Sequence, residues 1–284
     1  MHSRLSVLVV LILVNLTVPS SRAEESKPPT PPQTVPALQT IKDPVIFCAS
    51  CDRPFGGDGH KGAMKDLVSN AFVAELRRAL YYQDSVHQFE SKAHFDNCDF
   101  DSAIAYVDSL LEEADGHVKA ALNAGKDAKA KEAAVKKAFF AIGQGLHTVQ
   151  DFYAHSNYIE LTKDATKDSL GFPVVAVWTD AGKALTQKLR SSGLVSGFVF
   201  WGFSQKCPSG SKSHGDLAKD SESTTSGKVR VAHLENFSHY QLALFTARRA
   251  SADFLRYTLK RWPLLEEMNG KYLAFEVLVD RRGL

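Results

Sequence analysis

The chain has little net charge to attract a partner. Its 34 basic and 32 acidic residues nearly cancel, and without Arg4 and Arg22 at the N-terminal end the two counts are equal at 32. Bulk charge therefore steers it neither to nucleic acid nor to an anionic membrane surface. Long apolar runs are also scarce. The one candidate, from Leu5 to about Val18, is interrupted by Ser6, Asn15 and Thr17 and falls short of the roughly 20 residues a membrane span needs. The patches near Val174 and Val199 are shorter still. No internal repeat appears, and no set of alternating segments makes a credible sheet. Cysteine is sparse as well: Cys48, Cys51, Cys98 and Cys207 are the whole complement. A zinc ribbon or redox fold built on repeated Cys pairs has no second pair to use, and no βαβ pattern surrounds Cys48-Ala-Ser-Cys51.

What is present begins with a leader. Arg4, the apolar run and Ser21-Arg22-Ala23 have the layout of a secretory signal peptide, which assigns residues 1–23 to targeting and the mature chain to a secreted or periplasmic location. In such a compartment four cysteines suggest two disulfides, with three pairings open and Cys48–Cys51 with Cys98–Cys207 preferred. Residues 24–45 carry Pro28, Pro29, Pro31, Pro32 and Pro36 and read as an extended linker. Residues 46–284 are left as one domain.

Helical periodicity fills that domain. Ala63, Leu67, Ala71, Phe72, Leu76 and Leu80 form one stripe from His60 onward. A second helix is predicted over about 100–123 and a third over about 128–157, its second half so apolar that it should lie deep in the core. Asp180 is expected to cap a helix to about Arg190, and Asn236 a last long helix that Pro263 ends. Residues 192–235, rich in Ser, Gly and Thr, read as a long irregular excursion. The class is all-α, a compact multi-helix bundle with long excursions.

The chemistry concentrates in Gly145-Leu-His147-Thr-Val-Gln-Asp151-Phe-Tyr-Ala-His155-Ser-Asn-Tyr-Ile-Glu160. Residues four apart on a helix lie about 40° apart around its axis, so His147, Asp151 and His155 share one edge. Imidazole nitrogen and carboxylate oxygen are what borderline divalent metals bind. A buried Asp between two His is costly unless paired, and a metal satisfies all three at once. The alternative is a hydrogen-bonded His–Asp–His cluster without metal. Further candidate ligands are His60 at the first helix, His87, His94 with Asp96, His214 in the excursion and His239 on the last helix. His94-Phe-Asp96 read as an extended segment puts both side chains on one face. His117 and His233 read as surface residues.

The segment 146–161 resembles the signature of the Het-C family, named for fungal heterokaryon incompatibility. Ala93-His94-Phe95-Asp96-Asn97, His214-Gly-Asp-Leu-Ala-Lys219-Asp220-Ser221 and His60-Lys-Gly fit the same pattern. Het-C in turn looks similar to the zinc-dependent phospholipases C and fungal single-strand nucleases. That likeness implies a helical bundle of the phospholipase C type with two or three zinc ions. It implies that His147 and Asp151 hold metal, with Asp151 bridging, and that His155 binds a neighbouring ion. It also implies a secreted phosphodiesterase acting on phospholipid, with peripheral membrane contact and with nucleic acid disfavoured by the neutral mature chain. Asp96 and Glu160 are then the carboxylates placed to orient the metal-bound water or accept its proton. The rival reading is a non-catalytic recognition or toxin-like protein with a structural metal. The chain departs from the enzymes in three ways, one being that no clear His-x-x-x-Glu pair follows His155. A proline-rich linker keeps the mature N-terminus from the site, and His87 stands where relatives carry Asp shortly before the His-Phe-Asp step. The sequence leaves the oligomeric state open.

Overall fold

Fifteen consecutive buried residues explain how the fold is organised. Every position from Ala141 to His155 is inside, on a helix that runs from Ala128 to His155. A helix buried all round must be wrapped by others. This helix, α4, is packed by α1 (Asn70–Val86), α3 (Phe100–Asn123) and α8 (His239–Arg261). The computed structural model describes residue 60 and residues 70–199 and 206–269. The leader, the proline-rich stretch, the Cys48/Cys51 pair and the stripe positions Ala63 and Leu67 lie outside the described residues.

The shorter elements fill the connections. They are α2 (Ser91–His94), α5 (Tyr158–Thr162), α6 (Asp180–Ser191), α7 (His214–Leu217) and α9 (Pro263–Asn269), with one antiparallel pair, β1 (Arg230–Val231) and β2 (Phe237–Ser238). The fold is all-α, as the periodicity predicts. Among the described residues no helix is long and apolar enough to cross a membrane.

Two caps differ from expectation. Asp180 is the first residue of α6; the cap is Thr179, whose hydroxyl accepts from the Gly182 amide. Asn236 sits in a left-handed conformation (φ 58°) ahead of β2. Ser238 caps α8 instead, in a reciprocal capping box with Gln241. In both cases the hydroxyl sits in extended backbone, the geometry a cap requires.

The core is dense where α1 crosses α4. A Cβ on Gly143 would lie 2.7 Å from Ala79 Cβ and 3.0 Å from Leu76 Cα, so the glycine sets the approach of the two helices. Aromatic side chains pack below: Phe95, Phe100, Phe152, Tyr153 and Tyr158 are all buried and in edge or tilted contact. Thr148 fastens α4 to α2 by donating to the Ala93 carbonyl at 2.9 Å.

The excursion is ordered rather than loose over most of its described length. Asn157 N–H donates to Val195 O, Gly197 N–H to His155 O, and Asn97 N–H to Gly197 O. A disulfide joins Cys98 to Cys207, the pairing preferred above, and closes a loop with a sequence separation of 109. Such a bond is compatible with an extracellular protein.

Candidate metal centre

Asp151 is the hub. It is fully buried on α4, and four imidazoles from three parts of the chain face its two oxygens. His94 Nδ1 lies 2.9 Å from Oδ2, His147 Nε2 3.1 Å and His155 Nδ1 3.8 Å; His60 Nε2 lies 3.5 Å from Oδ1. The rings crowd one another: His60 stacks on His147 at 4.0 Å between centroids, and His94 meets His147 edge-on at 5.0 Å. Asp84 completes this side, its Oδ1 3.6 Å from His147 Nε2.

A second group lies around Asp96. His214 Nδ1 is 2.9 Å from Asp96 Oδ1, and the His155 and His214 rings are 4.3 Å apart. Three sets of donors come close enough to share an ion: His60, His147 and Asp151; Asp84, His94 and His147; and Asp96, His155 and His214. These buried His and Asp groups could hold metal. The first two sets share His147, and one imidazole nitrogen coordinates one ion, so they form a single Asp151 centre beside the Asp96 centre.

The outer hydrogen bonds identify one donor nitrogen on each of three imidazoles. Ser251 donates its hydroxyl to Ala247 O and so accepts from Gln150 Nε2 at 2.8 Å. That leaves Gln150 Oε1 as the acceptor facing His60 Nδ1 at 2.5 Å. His60 therefore carries its proton on Nδ1 and turns the Nε2 lone pair on Asp151. His94 Nε2 donates to the His87 carbonyl at 3.2 Å, and His155 Nε2 to Asp220 Oδ1 at 3.0 Å. Each of these three histidines is held from outside, which leaves its other nitrogen for the interior.

This is the arrangement of ligand histidines steadied by outer acceptors. It also fits a cation on internal grounds. His147 Nε2 and His94 Nδ1 face each other at 3.1 Å, so without a proton or a metal between them their lone pairs would repel. Asp151 Oδ1, His147 Nδ1 and His155 Nδ1 are buried without a hydrogen-bond partner. Buried polar atoms of that kind call for an ion or a water.

The protonation equilibria reflect the crowding. Burial alone would push the Asp151 carboxyl up, but His147 and His155 beside it and the hydrogen bonds from His147 and His94 hold it well below the usual range. Burial would lower His155, yet the facing Asp151 and Asp220 push it up to about 10. Burial and the neighbouring His147 keep His60 well below its ordinary value, so it is neutral. Burial raises the Asp84 carboxyl despite the nearby His147.

The remaining candidates fall elsewhere. His94 and Asp96 serve different centres, because the chain between them turns through left-handed Phe95 (φ 54°) instead of running extended. Asn97 (φ 58°) and Cys98 (φ 54°) continue that turn. Strain of this kind in residues other than glycine costs about 1–3 kcal/mol each and concentrates at functional sites. His87 is not brought into the donor sets: its Nδ1 pairs with Glu90 Oε1 at 2.6 Å. Asp84, one helical turn earlier, faces the centre in its place, and no ligand role was assigned to it from sequence. Asp220 also enters, through His155. His117 is partly exposed and pairs with Glu113 one turn away, and His233 is exposed.

Half-buried Glu160 and buried His239 form a separate group. Glu160 Oε1 accepts from Ser226 Oγ at 2.5 Å and lies 3.2 Å from Lys219 Nζ and 3.7 Å from His239 Nδ1. Burial would raise its carboxyl, but Lys219, His239 and Ser226 hold it down at about 2. Because the folded value lies below the unfolded one, this group stabilises above pH ~4.5, and the contribution is lost as pH falls towards 2. In Glu160→Gln the melting temperature should therefore fall less steeply than in wild type between pH 4.5 and 2, as read by circular dichroism. Parallel curves would show that Glu160 does not sense that range.

Residues 90–192 match the family model of the heterokaryon incompatibility protein Het-C. No curated protein and no solved structure matches the chain. The matched span holds His94, Asp96, His147, Asp151 and His155, whereas His60, Asp84, His214 and Asp220 reach the same centres from outside it. Over residues 90–192 the chain is thus similar to the Het-C family, and that stretch carries five residues of the buried histidine–aspartate centres.

Proposed function

We propose that the protein is a secreted zinc-dependent phosphodiesterase with two ions, one at the Asp151 centre and one at the Asp96 centre, and that its substrate is a phospholipid. The observation that carries the proposal is the outward hydrogen bonding of His60, His94 and His155, which turns the inner nitrogen of each ring towards one buried carboxylate. Nitrogen and carboxylate oxygen donors without thiolates suit zinc. Asp151 offers one oxygen towards His60 and the other towards His94, His147 and His155, so its carboxylate would hold the first ion among these imidazoles.

Bound zinc would supply a water of near-neutral pKa and neutralise charge on a phosphoryl oxygen. The protein's own residues do the rest. Asp84 has the only carboxylate in the donor sets that reaches the surface, at 37% side-chain exposure, so it is where water and a phosphoryl group can enter. Its raised carboxyl suits it to take up a proton there. Asp96, in this reading, holds His214 and the second ion. The near-neutral charge of the chain favours a phospholipid over nucleic acid.

A second reading has support from burial: His147 and Asp151 are 0% exposed and His60 is 1%, as in closed structural sites. One experiment separates the two. The purified full chain is analysed for metal and assayed on phosphatidylcholine vesicles and a synthetic phosphodiester, with and without chelator. Wild type should release a phosphorylated head group, and chelator or His147→Ala should cut the rate at least 100-fold. Bound zinc without hydrolysis of either substrate would leave the structural reading standing.

A further inference from the structure

Lys219 is a buried cation outside both centres, and it needs a reason to be there. Its side chain is 0% exposed, and burying a lysine is costly unless every donor is used. Here the donors are used: Nζ donates to Ser156 O at 2.7 Å and to Leu217 O at 2.8 Å, and lies 3.2 Å from Glu160 Oε1. Burial lowers its pKa and the facing Glu160 works against that.

The carbonyls that Lys219 meets are those on either side of His155. A helix leaves its last carbonyls without internal partners, and its C-terminal end favours a positive charge. At the end of α4, Ala154 O accepts from the Lys219 amide at 3.0 Å and Ser156 O accepts from Lys219 Nζ. His155 O accepts from Gly197 N–H at 3.0 Å. One residue along the same segment, Asp220 accepts from His155 Nε2 at 3.0 Å. The backbone before His155, the backbone after it and the outer nitrogen of its ring are therefore all tied to residues 219–220.

We infer that Lys219, held by Glu160, is a positioning residue that sets His155, and through it the ion of the Asp96 centre, while leaving the Asp151 centre to its own supports. The inference rests on the two-ion reading above. It gives Glu160 a different task from handling water: its carboxylate balances the buried ammonium that fastens the end of α4. The Asp151 centre has independent supports, since Gln150 and the His87 carbonyl orient His60 and His94.

The test uses Lys219→Met with Glu160→Gln, a pair that leaves no buried charge unmatched. Full-length protein freed of metal is titrated with zinc, and with cobalt(II) for its visible spectrum. Wild type should bind two ions. The double variant should keep one with its affinity and spectrum unchanged, and bind the second about 10–100-fold more weakly, the usual scale for loss of an outer support. Adding His147→Ala should then remove the remaining ion. If the double variant lacks native helical circular dichroism, Glu160→Gln alone is read the same way. Two ions bound with wild-type affinity, or equal weakening of both, would overturn the inference. A wild type binding fewer than two would instead defeat the two-ion reading beneath it.

Discussion

Asp151→Asn should empty the Asp151 centre and also destabilise the metal-free protein. Three imidazole nitrogens lie within 3.8 Å of Oδ2 and a fourth lies 3.5 Å from Oδ1. Asparagine keeps the shape but removes the charge that all four face. Breaking one partner of a fully buried ionic cluster costs about 3–5 kcal/mol. At 2–4 °C per kcal/mol for a domain of this size, the melting temperature should fall by roughly 6–20 °C. The effect has a pH window. Asp151 is held below 3.8, so its contribution is lost as pH falls through that range; His155 is raised above 6.5, to about 10, so its contribution is complete below 6.5 and lost as pH climbs to 10. The gap between wild type and variant should thus be widest between about pH 4 and 6.5. Thermal melts of metal-free protein across pH check this, with elemental analysis for bound zinc. A variant that melts with wild type and retains full zinc would show that the cluster is not organised on this carboxylate.

The parts of the site legible in the sequence are those that local periodicity reaches. His147, Asp151 and His155 are spaced four apart on a helix whose other faces are apolar, so their convergence follows from helical geometry alone. Asp84 was legible by a subtler rule. Phe72, Leu76 and Leu80 are core positions at intervals of four, and the next position on that stripe is Asp84. An acid at the next step of an apolar stripe needs a partner inside, and here the partner is His147. His87, one turn later, drew the ligand assignment by residue type, but the helix ends at Val86 and frees its ring to meet Glu90. Glu160 was near the motif in sequence, yet α4 ends at His155 and a new helix begins at Tyr158, which turns its carboxylate towards Lys219. Long-range pairings such as Asp96 with His214 depend on a left-handed turn and a disulfide, and neither has a periodic signature.

Gly197→Ala should have the largest effect on the Asp96 centre of any single methyl added to the described glycines, because Gly197 is where that centre's three ligands meet through the backbone. Its amide donates to His155 O, and its carbonyl accepts from Asn97, the residue after Asp96. Next to it, Phe198 O accepts from the His214 amide at 2.8 Å. A Cβ at Gly197 would lie 2.3 Å from His214 Cα and 2.8 Å from His214 N. Both are backbone atoms, so no rotamer change relieves the clash, and α7 must move off by more than an ångström to restore ordinary contact. That displacement carries His214 Nδ1 away from Asp96, now 2.9 Å distant. Overpacking of this kind costs about 1–3 kcal/mol, and the second ion should bind at least 100-fold more weakly. Gly215→Ala is the control: it adds the same methyl one residue beyond His214, where nothing lies within 4 Å, and should leave both ions in place. Zinc titration of the two variants side by side decides the matter. If Gly197→Ala binds its second ion as wild type does, the segment around Gly197 does not hold the centre together.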